Sequence, residues 1–217
     1  MPTVRCYDCG RSVPFGERAR CVCGESLWFE LGEVEWPDRH DPGMWRYSNV
    51  LPADPPTGIG AAAGGTPLVR APNLDVGGVR LFLKDEGQNP TGSFKDRGSA
   101  LALAFARENG IERIGTVSHG NMAMSTAACA AAAGIDCTVC VPADISEERL
   151  ANIARYDPDI LRIEGDYGRL YHESLAIEGI RFVNSDTPLR VAGQKTTAYE
   201  ICEAFSPSVP DAIVLPV

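Results

Sequence analysis

The feature that most constrains the fold is the alternation of short apolar runs with helical patterns from residue 79 onward. Parallel strands need long connections between them, and helices usually supply those connections. The sequence therefore predicts an α/β fold with parallel strands and helical crossovers. The predicted strands are 79–84, 114–118, 136–141, 160–164, 181–184 and 212–217. The predicted helices are 93–108, 122–133, 146–155, 167–178 and 196–205.

Four of the eight cysteines form two close pairs near the N-terminus. Cys6 and Cys9 are the first pair, Cys21 and Cys23 are the second, and a glycine follows each pair. Four thiolates in this pattern suit a tetrahedral zinc site, although the second pair has one spacer residue where two are usual. Because a unit this small needs a metal or a cross-link, we predict a zinc ribbon over residues 1–35. The other cysteines are interpreted as small core residues.

Charge and hydropathy limit the partners of the chain. Its 217 residues carry a net charge of −9, which argues against nucleic acid or an anionic membrane as the main partner. It has no apolar run typical of a signal peptide or a membrane-spanning helix, so we expect a cytoplasmic protein with reduced cysteines. Residues 36–78 are interpreted as a proline- and glycine-rich connector and the start of the large domain, with Trp45 and Tyr47 as candidate anchors.

The segment at 88–98 offers a candidate reactive lysine. Pro90 and Gly92 predict a turn, and Ser93 or Thr91 is a candidate cap for the following helix. Lys95 then lies in the first helical turn, where the helix dipole and the neighbouring Arg97 disfavour an ammonium ion. An uncharged lysine suits Schiff-base chemistry with an aldehyde cofactor, and free helical N–H groups suit an anion. On spacing alone, a capped surface helix with solvated side chains is the simpler interpretation.

The sequence PTGSFKDRG at 90–98 resembles the pyridoxal-phosphate (PLP) lysine motif of threonine synthases, in the tryptophan-synthase-β-like family. The resemblance implies fold type II, with parallel sheets and helices on both faces. It implies that Lys95 bonds covalently to PLP and that Phe94 contributes to cofactor binding. The GGTPL sequence at 64–68 resembles a loop at the edge of the family's active site. One subgroup of threonine synthases also carries an N-terminal zinc ribbon with a C-x-C second pair.

The loop Ser118-His119-Gly120-Asn121 lies between a predicted strand and a predicted helix, where open α/β sheets hold ligands. It resembles the family's S-T-G-N-T loop. The resemblance implies that Asn121 hydrogen-bonds the phenolic oxygen of PLP and that the loop binds the substrate carboxylate. Met122 replaces a threonine whose hydroxyl helps bind the substrate phosphate in the family. His119 replaces another threonine, and a compensating donor, a proton shuttle and a solvated loop histidine all remain open.

The segment at 184–197 resembles the family's N-S-x-N-P-x-R and E-G-Q-K-T run. The resemblance implies that Asn184 and Arg190 contact the substrate phosphate, for which the planar guanidinium of arginine is well suited. Thr187 and Ala192 replace an asparagine and a glutamate of the family pattern. Lys195 is a second candidate cation, although a surface lysine at the start of a helix is the simpler interpretation.

The resemblance implies conversion of O-phospho-L-homoserine and water to L-threonine and phosphate, with a small amino acid as substrate, and it is compatible with a homodimer. It covers about the N-terminal half of a family member, and the chain ends before the glycine-rich loop that holds the PLP phosphate. We therefore expect the chain alone to retain PLP weakly and to lack substantial activity.

Two alternatives of the same class are a cysteate-synthase-like β-replacement enzyme, which Met122 keeps open, and a serine/threonine dehydratase. The SFKDRG and GQKT sequences favour threonine synthase over the dehydratase. The alternative of another class is a non-catalytic zinc-ribbon relative, or one half of a split enzyme.

Overall fold

The N-terminal unit is a small antiparallel sheet in a computed structural model that describes residues 2–16, 20–30, 43–174 and 176–215. Its strands are β1 (Thr3–Cys6), β2 (Ser12–Pro14) and β3 (Leu27–Phe29), in the order β2-β1-β3. The Phe15 ring contacts Phe29 and Phe105, with centroids 4.8 and 5.1 Å apart respectively. Because Phe105 belongs to the long helix of the α/β region, the small sheet shares that region's hydrophobic core.

The connector packs through its aromatic residues, as its sequence predicted. Trp45 is buried, and its Nε1 donates a hydrogen bond of 2.9 Å to the Gly60 carbonyl. The hydroxyl of the buried Tyr47 donates to a carboxylate oxygen of Glu203 at 2.6 Å. The part of the predicted ribbon and connector at 31–42 lies outside the described residues. The segment contains 3-10 helices at Met44–Val50, Gly58–Ala62 and Pro72–Leu74, and a further one follows at Glu86–Gln88.

Two short strands form a separate antiparallel pair, β4 (Leu68–Arg70) with β5 (Phe82–Lys84). The predicted strand at 79–84 is therefore shorter than expected and stands outside the parallel sheet. Leu68 is paired with Lys84 in this register. The pair leads from the 64–68 loop to the turn that precedes the candidate lysine.

The main sheet is parallel, as predicted, and has the strand order β8-β7-β6-β9. Crossover helices join its strands. The first helix of this region packs against the second and the last, and its residues 96–106 are buried. No helix among the described residues is long and apolar enough to cross a membrane. The strands are β6 (Arg113–Val117), β7 (Asp136–Pro142), β8 (Asp159–Ile163) and β9 (Arg181–Phe182). The helices are α1 (Lys95–Glu108), α2 (Asn121–Ala133), α3 (Glu147–Ala154), α4 (Tyr167–Ser174) and α5 (Pro188–Phe205).

Two predicted elements at the C-terminal end are corrected by the structure. Helix α5 begins at Pro188, well before the predicted start at 196, because proline fits the first helical position and Thr187 supplies an extended residue before it. The predicted strand at 212–217 is wrong over its described part, 212–215, where no strand forms and Val214 is 92% exposed. An apolar run forms a strand only where a neighbouring strand satisfies its backbone groups, and the described residues place none beside it.

Candidate active site and metal centre

Helix α1 begins at Lys95, directly after the predicted turn. Gly92 has a φ of 83°, a left-handed conformation that glycine adopts without strain. The predicted capping differs in detail, because Phe94 occupies the N-cap position and makes no capping bond. Ser93 Oγ instead accepts a 3.3 Å hydrogen bond from the Lys95 N–H. The Asp96 carboxylate accepts from the backbone N–H and the hydroxyl of Thr91, at 2.6 and 2.5 Å. These bonds fix the turn against the helix and so fix where Lys95 starts.

The amine of Lys95 lies in a setting that favours its neutral form. Burial lowers the pKa of Lys95, and the charge of Arg190 lowers it further. Its Nζ lies 4.4 Å from the centroid of the Phe94 ring, and that ring is 41% exposed. The sequence prediction of a lowered pKa agrees with this setting, but the cationic neighbour is Arg190 rather than Arg97. The neutral amine is the nucleophile that an aldehyde cofactor requires, and a lowered pKa increases its share, so the half-buried Lys95 fits PLP.

Arg97 is fully buried and serves a different purpose. Its guanidinium donates to Glu86 at 2.8 Å through Nε and through one terminal nitrogen, and to Glu200 at 2.6 and 2.9 Å. Glu200 also accepts from Lys84 Nζ at 2.6 Å and from the Gly65 N–H at 2.8 Å. The network therefore ties the first turn of α1 to the 64–68 loop and to α5. Sequence reasoning missed it, since Arg97 and Glu200 are 103 residues apart.

The loop Ser118–Asn121 occupies the predicted place at the carboxyl end of a parallel strand. It follows β6, and α2 begins at Asn121 with Gly120 as the residue before the helix. Ser118 N–H donates to the Cys140 carbonyl at 3.1 Å, and Ser118 Oγ accepts from the Gly120 N–H at 3.3 Å. His119 is half-buried, while Gly120 and Asn121 are exposed. The loop thus presents a backbone turn and an amide side chain at the edge of the sheet.

Side-chain hydrogen bonds join the early turns of α1 and α2. Ser125 Oγ donates to Ser99 Oγ at 2.6 Å. Ser99 lies one helical turn after Lys95, and Ser125 lies one turn after Asn121. Arg190 donates to the Ser99 hydroxyl at 2.7 Å and to the Thr126 hydroxyl at 2.5 Å, and so spans both helices. The candidate lysine and the candidate amide therefore sit on two helices that are bonded to each other near their starts.

Asn184 and Arg190 have their polar groups bonded to the protein in this structure. Both are completely buried. Asn184 Oδ1 accepts from the Val117 N–H at 2.9 Å, and its Nδ2 donates to Ser174 Oγ at 3.3 Å. Burial lowers the pKa of Arg190 to about 10, and its guanidinium donates to the Val183 carbonyl and to the hydroxyls of Ser99 and Thr126. Their assignment as phosphate contacts stays a prediction, and their observed role is to hold the helices and the β6 end together.

A cavity of about 370 Å³ opens beside the Ser118–Asn121 loop. Helix α3 supplies two of its lining residues, Arg149 and Asn152, which sequence reasoning missed. They are three residues apart and so share a helix face, but that pattern alone is typical of a solvated surface. The cavity is lined by His119, Gly120, Asn121, Met124, Arg149 and Asn152.

Lys195, the second candidate cation, lies within α5 rather than at its start. Its Nζ is 4.2 Å from the centroid of the Trp28 ring, and burial lowers its pKa. Lys195 therefore packs against the N-terminal sheet. It resembles Lys95 in burial and in its aromatic neighbour, which makes it a suitable control.

The four predicted metal ligands come together. The Sγ atoms of Cys6 and Cys23 are 3.5 Å apart, those of Cys9 and Cys21 are 3.5 Å apart, and those of Cys9 and Cys23 are 3.7 Å apart. All four sulfur atoms lie within 4.8 Å of one another. A tetrahedral zinc ion with bonds of about 2.3 Å places its sulfur ligands about 3.8 Å apart. The sulfur positions therefore fit zinc, and the single spacer residue between Cys21 and Cys23 does not prevent it.

Known proteins share this sequence and fold. The profile of a family described as "Pyridoxal-phosphate dependent enzyme" matches residues 59–217. The chain is 35% identical over 229 residues to a threonine synthase of Methanocaldococcus jannaschii, covering 98% of this chain and 56% of that protein. It is 40% identical over 178 residues to a threonine synthase of Bacillus sp. (strain ULM1), covering 79% of this chain and 50% of that protein. The chain thus spans about half the length of the curated relatives it matches.

A solved structure supports the same relationship at the level of the fold. The crystal structure of a pyridoxal 5'-phosphate-dependent aspartate racemase matches with a TM-score of 0.57 and 27% identity, over 65% of this chain and 46% of that one. The family match covers the α/β region that contains Lys95 and the Ser118–Asn121 loop. The chain therefore belongs to the pyridoxal-phosphate-dependent enzymes of fold type II and is threonine synthase-like over about half the length of those enzymes.

Proposed function

We propose that this chain carries the lysine-bearing part of a threonine synthase, which converts O-phospho-L-homoserine and water to L-threonine and phosphate. The observation that carries the proposal is the setting of Lys95. Its amine is half-buried, its pKa is lowered, and its helix is bonded to the helix that starts at Asn121. The similarity to threonine synthases supports this choice among PLP reactions.

Each site residue has a role in the proposal. PLP, when bound, supplies an electron sink for the carbon that carries the substrate's amino group. Lys95 would hold the cofactor, and its Nζ, when not bonded to the cofactor, would move protons at the α and β carbons in a reaction that releases phosphate from the γ carbon and adds water at the β carbon. Asn121 orients the phenolic oxygen, and Phe94 contacts the cofactor beside Lys95. Residues 118–120 bind the substrate carboxylate through the loop.

Asn184 and Arg190 would contact the leaving phosphate. Both side chains would exchange some of their present bonds for bonds to phosphate. Arg190 is the better placed of the two to act on the lysine, because its charge already lowers the pKa of Lys95. A phosphate bound to Arg190 would offset that charge, so substrate binding would raise the basicity of the amine.

The second candidate function is a β-replacement reaction like that of a cysteate synthase, which the departure from the threonine synthase pattern at Met122 keeps open. Met122 is buried, and its sulfur accepts a 3.1 Å hydrogen bond from the Ser185 hydroxyl. The position therefore offers no hydroxyl to a substrate phosphate, in contrast to the threonine of the family pattern. A dehydratase is the remaining alternative among PLP enzymes.

Product analysis separates these functions. The full-length product of the gene, loaded with PLP, is incubated with O-phospho-L-homoserine, with O-phospho-L-serine plus sulfite, or with L-threonine. We expect threonine and phosphate in equal amounts from the first substrate, and no product from Lys95→Ala. Cysteate from the second mixture, or 2-oxobutanoate from the third, would replace the proposal with the corresponding alternative. No product from any mixture would favour the non-catalytic relative.

A further inference from the structure

The cavity beside the Ser118–Asn121 loop contains a cation to which the family pattern gives no role. We propose that Arg149 of α3 binds an anionic group of the substrate, a phosphate or a carboxylate, in this cavity. The inference deepens the proposed function and rests on it for the identity of the substrate. Three observations support it: the position of Arg149, the charge of the residues that line the cavity, and the burial of Arg190, the other candidate cation.

Helix α3 aims Arg149 at the loop. Ser146 precedes the helix, and its side chain accepts a 3.5 Å hydrogen bond from the Arg149 N–H, which sets the first turn. Asn152 follows on the same face, and its Oδ1 accepts a 3.0 Å hydrogen bond from Arg155. Since that bond uses the oxygen, the amide nitrogen is the group of Asn152 that can donate to a ligand. The cavity is therefore bordered by donors from two elements.

The guanidinium of Arg149 binds no carboxylate among the described residues, unlike three arginines of the α/β region. Arg113, Arg162 and Arg169 each bind a carboxylate, at distances between 2.5 and 3.1 Å. Across the ranges that the structure describes, Arg149 forms a hydrogen bond through its backbone alone. Its side chain lines the cavity, whose walls contain this one guanidinium and no carboxylate. The cavity therefore favours an anion.

The loop that borders the cavity supplies no guanidinium or ammonium group of its own. Arg190 is completely buried and bonded to Val183, Ser99 and Thr126. The Met122 position has no hydroxyl. Arg149, in contrast, is exposed and reaches the cavity that the loop opens into. Its planar guanidinium matches two oxygens of a phosphate or a carboxylate at once, and the N-terminal end of α2 adds a favourable dipole.

Anion titration of the isotope-labelled chain tests the proposal. Inorganic phosphate or acetate is added at constant ionic strength, with chloride as the reference, while the backbone amide signals of Gly120 and Asn121 are followed by NMR. We expect saturable shifts that are absent with chloride. Arg149→Gln should raise the apparent Kd for the anion by about tenfold or more, and Arg149→Lys should raise it by less. Tighter binding of phosphate assigns the site to the phosphate group, and tighter binding of acetate assigns it to the carboxylate.

Two control variants accompany Arg149→Gln: one removes another exposed arginine, and one removes the candidate cofactor lysine. Arg169→Gln removes an exposed arginine that pairs with Glu173 and should leave the Kd unchanged. Lys95→Ala removes the residue on which the proposed function depends and should also leave the anion shifts unchanged, so failure of one proposal is distinguishable from failure of the other. Shifts that are equal with chloride, or that are insensitive to Arg149→Gln, would overturn the inference.

Discussion

Replacing Arg97 with methionine is expected to lower the free energy of unfolding by about 3–5 kcal/mol. The substitution keeps much of the side-chain volume but removes the cation between Glu86 and Glu200. The carboxylate of Glu200 would lose its two hydrogen bonds to Arg97 and keep Lys84 as its charged partner. Because the Glu200 side chain is only 2% exposed, water cannot replace the lost bonds. Urea unfolding followed by circular dichroism measures the loss.

The control for Arg97→Met is Arg113→Met. Arg113 also bridges two carboxylates, those of Asp136 and Asp159, but its side chain is 36% exposed. Solvated pairs contribute little, so this variant should lose about 1 kcal/mol or less. Equal losses in the two variants would contradict the structural role assigned to the buried network.

The same network predicts how stability depends on pH. Burial alone would raise the pKa of Glu200, but the hydrogen bonds and charge of Arg97, with help from Lys84, lower it to about 2 from its ordinary value of 4.5. Because the folded-state pKa is the lower one, the carboxylate's contribution is complete above pH 4.5 and is lost as the pH falls toward 2. The loss of stability over this range should be smaller in Arg97→Met than in the parent chain.

Metal removal is the second change with a large expected effect. We expect one zinc ion per chain, and none in the double variant Cys6→Ser, Cys9→Ser. Zinc binding by a small unit of this kind contributes about 10–16 kcal/mol, so a chelator should disorder strands β1–β3 and expose Phe15 and Phe29. Metal analysis and the near-ultraviolet circular dichroism spectrum report the two effects.

A cysteine of the α/β region provides the control for the metal site. Cys202→Ser changes a half-buried thiol on α5 and should keep the zinc content of the parent chain. Zinc retained at full stoichiometry in the Cys6→Ser, Cys9→Ser variant would contradict the assignment. So would equal zinc loss from the Cys202 variant.

The elements that local sequence controls were predictable. The turn at Gly92 depends on neighbours in the chain, and so do the loop at Ser118–Asn121 and the pairs of cysteines. The helix after the turn was also predicted, although it begins at Lys95 rather than at 93. The network of Arg97 was not predictable, because its partner Glu200 is brought in by the packing of α5 on α1. The strand predicted at 212–217 does not form over its described part, 212–215, for a related reason. Strand formation depends on a neighbouring strand, which the apolar run itself does not specify.

In the candidate site too, features set by the local sequence were predicted and features set by tertiary packing were not. Lys95 and Asn121 are predicted site residues from their motifs, and the structure joins their helices through Ser99 and Ser125. Arg149 was missed because a single arginine on an amphipathic helix is typical of a solvated face. Its placement beside the Ser118–Asn121 loop results from the crossover that packs α3 next to α2, which the local sequence does not encode.

Covalent trapping of PLP tests the central claim, that Lys95 is the cofactor lysine, most directly. The chain is incubated with excess PLP, reduced with borohydride and digested, and the labelled lysine is identified by mass spectrometry. Lys195 is the internal control, since its pKa is also lowered by burial and its Nζ also lies over an aromatic ring. We expect a pyridoxyl label on Lys95, with Lys195 essentially unlabelled. Equal labelling of both lysines, or no label on Lys95, would contradict it.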